Sequence, residues 1–213
     1  MPDTTDTSTV AATYLDPLEA RALDQIYREA HTTRRWSGRA VPDALLRQAY
    51  DLAKIAPTSG NCQPLRILFV RSPEAKERLK PCLSGGNVPQ TMAAPVTAIM
   101  AIDMEFYEHL PRLYPRDDAR SWFAGKPEAI KGGAELNGDL QAGYFILAAR
   151  ALGLSCGPMG GFDRGKTDAA FFLETGWGKT WRSRFLCNLG YPGEGGTRPR
   201  DPRFTFDEAC RIE

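Results

Sequence analysis

Segments of helical and of strand period alternate along this chain without internal repeats, which predicts an α+β or α/β fold. Two observations carry the expectation. Leu18, Ala22, Ile26 and Ala30 recur every four residues, as on one face of a helix. Val96 to Ile102 is apolar on both faces, as in a central strand covered by helices on each side. At 213 residues and 42% hydrophobic, the chain suffices for one substantial core, so one domain over residues 15–213 is expected behind a disordered tail at 1–14.

The elements follow in order. After the first helix, Pro42 and Asp43 open another that carries Leu45, Ala49 and Leu52 and runs into Pro57. Leu65 to Val70 is apolar and β-branched enough for a buried strand. Ser72-Pro73-Glu74 is a cap with proline at the first helical position, predicting a helix to about Leu79 ahead of Pro81. Gly85-Gly86-Asn87 is a polar loop before the central strand. From Phe106 to Lys126 prolines, aromatics and mixed charges break every period, and the stretch reads as a lid or an excursion. Leu136, Leu140, Tyr144, Leu147 and Ala151 mark a long helix from about Glu135 to Leu152, capped by Gly153. Its other face carries the small residues Ala142, Gly143, Ala148 and Ala149, so it can be buried all round, even at a subunit interface. A third loop, Gly157-Pro158-Met159-Gly160-Gly161-Phe162, precedes a strand from Arg184 to Leu189 and a Gly/Pro/Arg-rich tail.

Composition removes several classes of function. A formal charge of +1 with scattered basic residues argues against nucleic acid as a partner. The longest apolar stretch, Pro95 to Ile102, is too short for a membrane span, and Met1 to Val10 lacks a signal peptide's basic and apolar regions, which points to the cytoplasm. Five widely spaced cysteines without C-x-x-C suggest neither a disulfide framework nor zinc, and two histidines, His31 and His109, exclude a His-rich metal site.

The run from Ala56 to Pro64 holds most of the chemistry. Pro57 stops the preceding helix, Thr58 and Ser59 offer hydroxyls, Gly60 permits close backbone approach, and Asn61 and Gln63 each present a donor and an acceptor. Such a loop at the end of a strand suits a flat heterocycle with amide edges.

The order of these loops resembles the FMN-dependent nitroreductase superfamily over nearly the whole chain, from about Ala20 to Ala209. The likeness rests on Ala30-His31-Thr32-Thr33-Arg34-Arg35-Trp36, the loop Ala56 to Pro64, the turn Pro158-Met159-Gly160-Gly161-Phe162, and Arg198 with Arg200. The resemblance implies an α+β fold with a mixed sheet flanked by helices, an intertwined homodimer with FMN at the interface, and NADPH or NADH as co-substrate. It implies that Thr32, Arg34, Arg198 and Arg200 hold the FMN phosphate, with His31 standing where many relatives have arginine. Ser59, Asn61, Gln63 and Asn87 would hold the ribityl chain and pyrimidine edge, and Pro158, Met159 and Gly160 would line the ring. The N–H of Gly161 would face flavin N5 and is the catalytic candidate. Where relatives often carry Glu-Gly, this chain has Gly160-Gly161, leaving more room and less negative potential for an anionic substrate.

Within the superfamily the chain is most similar to the HadB/RutE branch, the malonic semialdehyde reductases of pyrimidine breakdown. Glu105 to Pro111, Asp118 to Phe123, Arg150 to Leu154 and Phe206 to Cys210 carry that likeness. It implies ping-pong transfer of hydride from NAD(P)H to malonic semialdehyde, giving 3-hydroxypropionate, with Arg120 and Arg164 as candidates to clamp the substrate carboxylate. A broad nitroaromatic or quinone reductase, and an FMN-binding protein without turnover, are the alternatives.

Overall fold

A computed structural model describes residues 16–175 and 177–213, so the tail expected over 1–14 lies outside the described residues. Helix α1 (Ala20–Leu23) continues as one wide turn, Asp24–Arg28, and buries none of its residues. Of the four-residue apolar row, Leu18 is exposed and Ala22, Ile26 and Ala30 are half-buried. Helix α2 (Asp43–Ala53) packs Leu46, Ala49 and Ala53 inward and stops four residues before Pro57. Strand β1 (Leu65–Val70) has the expected bounds. Helix α3 (Pro73–Leu79) begins as the cap predicts, with Ser72 Oγ accepting from the Ala75 N–H at 3.2 Å.

The turn Gly85–Asn87 leads into α4 (Val88–Ala93) and strand β2 (Val96–Asp103), all eight residues of which are buried. The excursion forms short turns around α5 (Leu110–Leu113) and packs Phe106, Leu110 and Ala119 over Cys62 and Ile102. Helix α6 (Pro127–Ala151) spans 25 residues, beginning well before the expected Glu135. Strand β3 (Ser155–Met159) takes up half of what reads in sequence as a Gly/Pro loop. Helix α7 (Arg164–Asp168), strand β4 (Trp181–Gly190) and helix α8 (Phe206–Ala209), closed by a Thr205/Glu208 capping box, complete the chain.

The sheet order is β1-β2-β4-β3, and every pairing is antiparallel. This corrects the mixed sheet expected from the sequence. Helix α6 does return the chain so that β3 runs parallel to β2, but β4 lies between them, and no two neighbours are parallel. Alternation along β2 divides the core. Val96, Ala98 and Met100 face α2 and α6, whereas Ile99 and Ala101 face a cluster with Leu79, Phe171 and Phe172. Where β4 skips one residue against Met100/Ala101, Arg184 is left over as a bulge. It reaches Glu135 at 2.8 Å and Asp139 at 2.6 Å, tying the sheet to α6.

Helix α6 is turned the other way from the leucine row. Its buried face is Ala134, Asn137, Gly138, Gln141, Ala142, Phe145, Ala148 and Ala149, while Leu136 is 67% exposed and Leu140 and Tyr144 are exposed with it. Small residues let the helix axis approach the sheet, and at Gly138 a Cβ would overlap the Ile102 side chain and touch Pro64. Gly132, on the same helix, has open space around it.

Gly138→Ala is therefore expected to lower stability by about 1–3 kcal/mol through overpacking, despite alanine's better helix propensity. Gly132→Ala should raise it by up to about 1 kcal/mol. Thermal denaturation of the two variants measures the contrast, and equal melting temperatures would contradict this packing.

Candidate functional site

The residues singled out from sequence gather into two groups. The first lies on the β3 edge. Residues 31–34 run alongside β3: Thr33 N–H donates to the Cys156 carbonyl at 3.0 Å, and a Cβ at Gly157 would lie 2.6 Å from the Thr33 carbonyl oxygen. The chain is extended here, so exposed Thr32 and Arg34 flank buried Thr33. The tail closes back on the segment. Arg34 N–H donates to the Gly196 carbonyl at 2.9 Å, and Arg200 Nη2 donates to the carbonyls of Arg28 and Ala30, each at 2.8 Å. Thr32, Arg34 and Arg200 thus share one exposed margin, and exposed Arg198 lies on the tail between Gly196 and Arg200 that closes onto it.

His31 departs from that margin. It lines, with Thr33 and Arg150, a cavity of about 480 Å³ that neither Thr32 nor Arg34 borders. Thr33 Oγ1 and Arg150 Nε have no hydrogen-bond partner there among the described residues.

Beyond Met159 the chain turns through Gly160 and Gly161. Asn87 Nδ2 donates to the Gly161 carbonyl at 2.8 Å, the Ser84 N–H donates to the same oxygen at 3.1 Å, and Gln90 holds the Asn87 amide at 2.7 Å. The fit is close, since a Cβ on Gly161 would sit 2.5 Å from Asn87 Nδ2, whereas one on Gly160 would meet nothing within 4 Å. The Gly161 N–H finds no acceptor among the described residues. Arg164 opens α7 three residues later and caps nothing, the cap being Asp163, whose carboxylate accepts the Lys166 N–H.

The second group lies at the start of β1, on the opposite edge. Gly60, Asn61 and Gln63 all have positive φ, of 55°, 50° and 40°. For the last two that conformation costs energy and persists only where surroundings hold it. Asn61 Nδ2 donates to the Leu113 carbonyl at 2.8 Å, and Gln63 Nε2 donates to Asn61 Oδ1 at 2.7 Å. The Trp122 ring, from the excursion, covers Gly60. Two residues that sequence reading passes over complete the support. Asn137 and Gln141, a turn apart on α6, accept from the N–H groups of Ser59 at 2.8 Å and Leu65 at 3.1 Å. The visible signal for them is a pair of carboxamides set among Ala134, Gly138 and Ala142 on a helix face. Arg120 belongs to this side and grips both Glu108 oxygens, at 2.8 and 2.7 Å.

Because β1 and β3 are opposite edges, three strand spacings or about 14 Å separate the two groups within one chain. The cationic margin and the Gly160–Gly161 turn lie on the same β3 edge of the sheet; Ser59, Asn61 and Gln63 lie on the opposite edge.

The model of the family described as "Nitroreductase family" matches residues 27–191. The chain belongs to the nitroreductase family. A protein of Burkholderia lata with the provisional name NADH dehydrogenase/NAD(P)H nitroreductase is 56% identical over 196 residues, covering 92% of this chain and 98% of that one. Among solved structures, a provisional nitroreductase from Exiguobacterium sibiricum, crystallised in complex with FMN, superposes with a TM-score of 0.78 at 21% identity, covering 94% of this chain and all of the other. An enone reductase of gut-bacterial fatty acid saturation superposes at 0.76 and 18% identity, over 89% and 97% of the two chains. These structural likenesses confirm the nitroreductase-like α+β fold. No helix among the described residues is long and apolar enough to cross a membrane.

Gly161→Ala is expected to displace the Asn87 amide and lower stability by about 1–3 kcal/mol, a fall of several degrees in melting temperature at this size. Gly160→Ala should stay within about 0.5 kcal/mol of wild type. Calorimetry of the pair decides whether this turn is as closely fitted as its geometry indicates.

Proposed function

We propose that this nitroreductase-family protein is an FMN-dependent NAD(P)H oxidoreductase of the cytoplasm, acting as a homodimer whose sites combine the β3 group of one copy with the β1 loop of the other. The observation that carries the reading is the division of the candidate residues between opposite sheet edges: each chain offers two halves that cannot meet within it. An apolar row on α6, Leu136, Leu140 and Tyr144, lies open to a second copy, as do Phe204 and Phe206 in the tail.

The residues present fit FMN. At Gly161 a backbone N–H has no acceptor among the described residues, and the margin on the same edge holds Thr32, Arg34, Arg198 and Arg200, cationic forks and a hydroxyl suited to a phosphate dianion. When bound, FMN supplies a carrier for hydride between NAD(P)H and an acceptor. The chain's own work is binding and orientation. Asn61 and Gln63 present amide edges locked by their mutual bond, Gly161 offers a neutral donor that needs no reorganisation, and Gly160 leaves the adjoining face uncrowded. The Trp122 ring of the excursion lies over Gly60.

As acceptor we propose malonic semialdehyde, reduced to 3-hydroxypropionate, on the likeness of residues 105–111 and 118–123 to the reductases of that compound. A broad nitroaromatic or quinone reductase is the second reading. It is favoured by the bidentate Arg120–Glu108 pair, which occupies one of the two arginines expected to clamp a carboxylate.

Anaerobic stopped-flow on the yellow holoprotein tests the choice: after reduction by NADPH, rapid return of flavin absorbance on mixing with malonic semialdehyde supports the first reading. Return only with a nitroarene or quinone supports the second, and flavin that NADPH never bleaches removes both.

Mixing chains tests the shared site. Arg34→Ala and Asn61→Ala should each weaken FMN binding about tenfold or more. Refolded together, they should regain tight binding in about a quarter of sites, because a mixed dimer has one doubly altered site and one intact site. No recovery would place both residues in a single-chain site.

A further inference from the structure

Lys76 is the one cation buried in the described core, and no charged partner meets it. It is 5% exposed, its Nζ donates to the Thr91 carbonyl at 2.8 Å and to Thr97 Oγ1 at 2.6 Å, and no carboxylate lies against it. The elements packed on it, α4, β2 and β4, present only the neutral Thr91, Thr97 and Asn188. Of the charged residues on its own helix, Glu74 and Arg78 are exposed, and Glu77 pairs with the following Lys80 in solvent. A bare ammonium in a core is costly, and a core methionine or leucine would fill the space without that cost.

The bonds from Lys76 have a direction. An ammonium can only donate, so Thr97 Oγ1 accepts from it and turns its own proton to Asn188 Oδ1 at 2.7 Å. With that oxygen engaged, the Asn188 amide nitrogen donates to Thr91 Oγ1 at 3.3 Å, and the Thr91 proton is left for Met159 Sδ at 3.4 Å. Thr91, Thr97 and Asn188 are fully buried. Every donor therefore points from Lys76 towards Met159, the last residue of β3, next to the Gly160–Gly161 turn. Asn188 also pairs with Gly157 across the sheet, so the chain of bonds runs directly beneath the strand that bears the proposed flavin site.

We infer that Lys76 is a positioning residue of the flavin site, a buried cation whose bonds through Thr97, Asn188 and Thr91 to Met159 carry positive potential to the end of β3 and favour the reduced cofactor. The inference rests on the FMN reading above. Hydride transfer brings two electrons and one proton to the flavin and so adds one negative charge until a second proton arrives. A fixed positive potential in a low-dielectric surround stabilises that charge, and ordered dipoles pass it on without reorganising. Burial pushes the Lys76 ammonium down from 10.5 to about 8, which leaves it charged near neutral pH and titrating just above.

The test is a spectroelectrochemical titration of the FMN holoprotein at pH 6.5 and pH 9.5, for wild type, Lys76→Met, Thr91→Val and, as a control for loss of an exposed charge, Lys80→Met. At pH 6.5, Lys76→Met should weaken reduced relative to oxidised FMN at least about tenfold, a fall of about 30 mV for two electrons. Thr91→Val should move the potential the same way and by less, Lys80→Met should not move it, and the gap between wild type and Lys76→Met should shrink at pH 9.5. Potentials that coincide at pH 6.5 overturn the inference while leaving the FMN reading intact; failure of the wild type to bind FMN overturns both.

Apoprotein stability supplies a second readout. The folded protein holds the lysine at about 8 against 10.5 unfolded, so the charged form opposes folding: the wild type should gain stability relative to Lys76→Met as pH rises from about 8 to 10.5, and keep that gain above. If Lys76→Met does not fold, Thr91→Val still decides, since a potential equal to that of the wild type at pH 6.5 rejects a bond chain that carries the lysine's charge to the site.

Discussion

The close approach of α6 to β2 is the constraint on which the other elements depend. Gly138 lets the helix sit against Ile102, and the strand it covers is buried on both faces, so β2 can be neither an edge nor a partly solvated strand. With β2 fixed inside, β1 and β4 become its neighbours and β3 is left at the rim. The same helix then holds the sheet in two further ways. Glu135 and Asp139 take the bulged Arg184, and Asn137 and Gln141 reach over the rim to the loop before β1. One helix thereby sets the sheet's order, its local twist and the shape of a loop far from it in sequence.

That loop shows why such support is needed. Asn61 and Gln63 sit at positive φ, a conformation that left to itself would relax. Carboxamides are well suited to it, because each can satisfy its own turn: Gln63 N–H donates to Thr58 Oγ1 at 3.2 Å while the two side chains bind one another. Cys62 between them is fully buried, and burial pushes its thiol up to about 11, so it acts as an apolar anchor rather than a nucleophile. The amide groups are consequently presented at one orientation before any ligand arrives, which lowers the entropy lost on binding.

Much of this was legible in the chain. Strand β1 and the Ser72-Pro73 cap are local events, and local rules place them to the residue. The long helix was legible as a helix but not as to its face. Leu136, Leu140 and Tyr144 form the stronger apolar row, yet close packing selects the smaller residues, and hydrophobicity alone does not measure how near two backbones come. Strand β3 was hidden by Gly157 and Pro158, residues that signal a turn unless an edge position and a neighbouring backbone account for them; here the Thr33 carbonyl occupies the space that a Cβ at Gly157 would need. The four loop motifs were readable in order along the chain, but order says nothing about edges. Only the sheet topology reveals that Asn61 and Gly161 stand on opposite rims. Lys76 gave no signal at all, since a lysine on a short capped helix reads as solvated surface and becomes a core cation only through the packing of α4 and β4.

In the proposed dimer the two half-sites differ in how they are secured, and this bears on how a cofactor would couple to assembly. The Gly160–Gly161 turn is fastened within its own chain by Asn87 and Ser84, and the Asn61–Gln63 loop by α6 and the excursion. Neither half has to refold when two chains meet, so association demands ordering only of exposed side chains such as Thr32, Arg34 and Arg198. A ligand that touches both halves then binds the dimer and not the single chain, and by mass action it stabilises the dimer by the full difference. Cofactor affinity and subunit affinity become two readings of one equilibrium, and a change that loosens either half, including one at Gly138 on the inner face of α6, is felt in both.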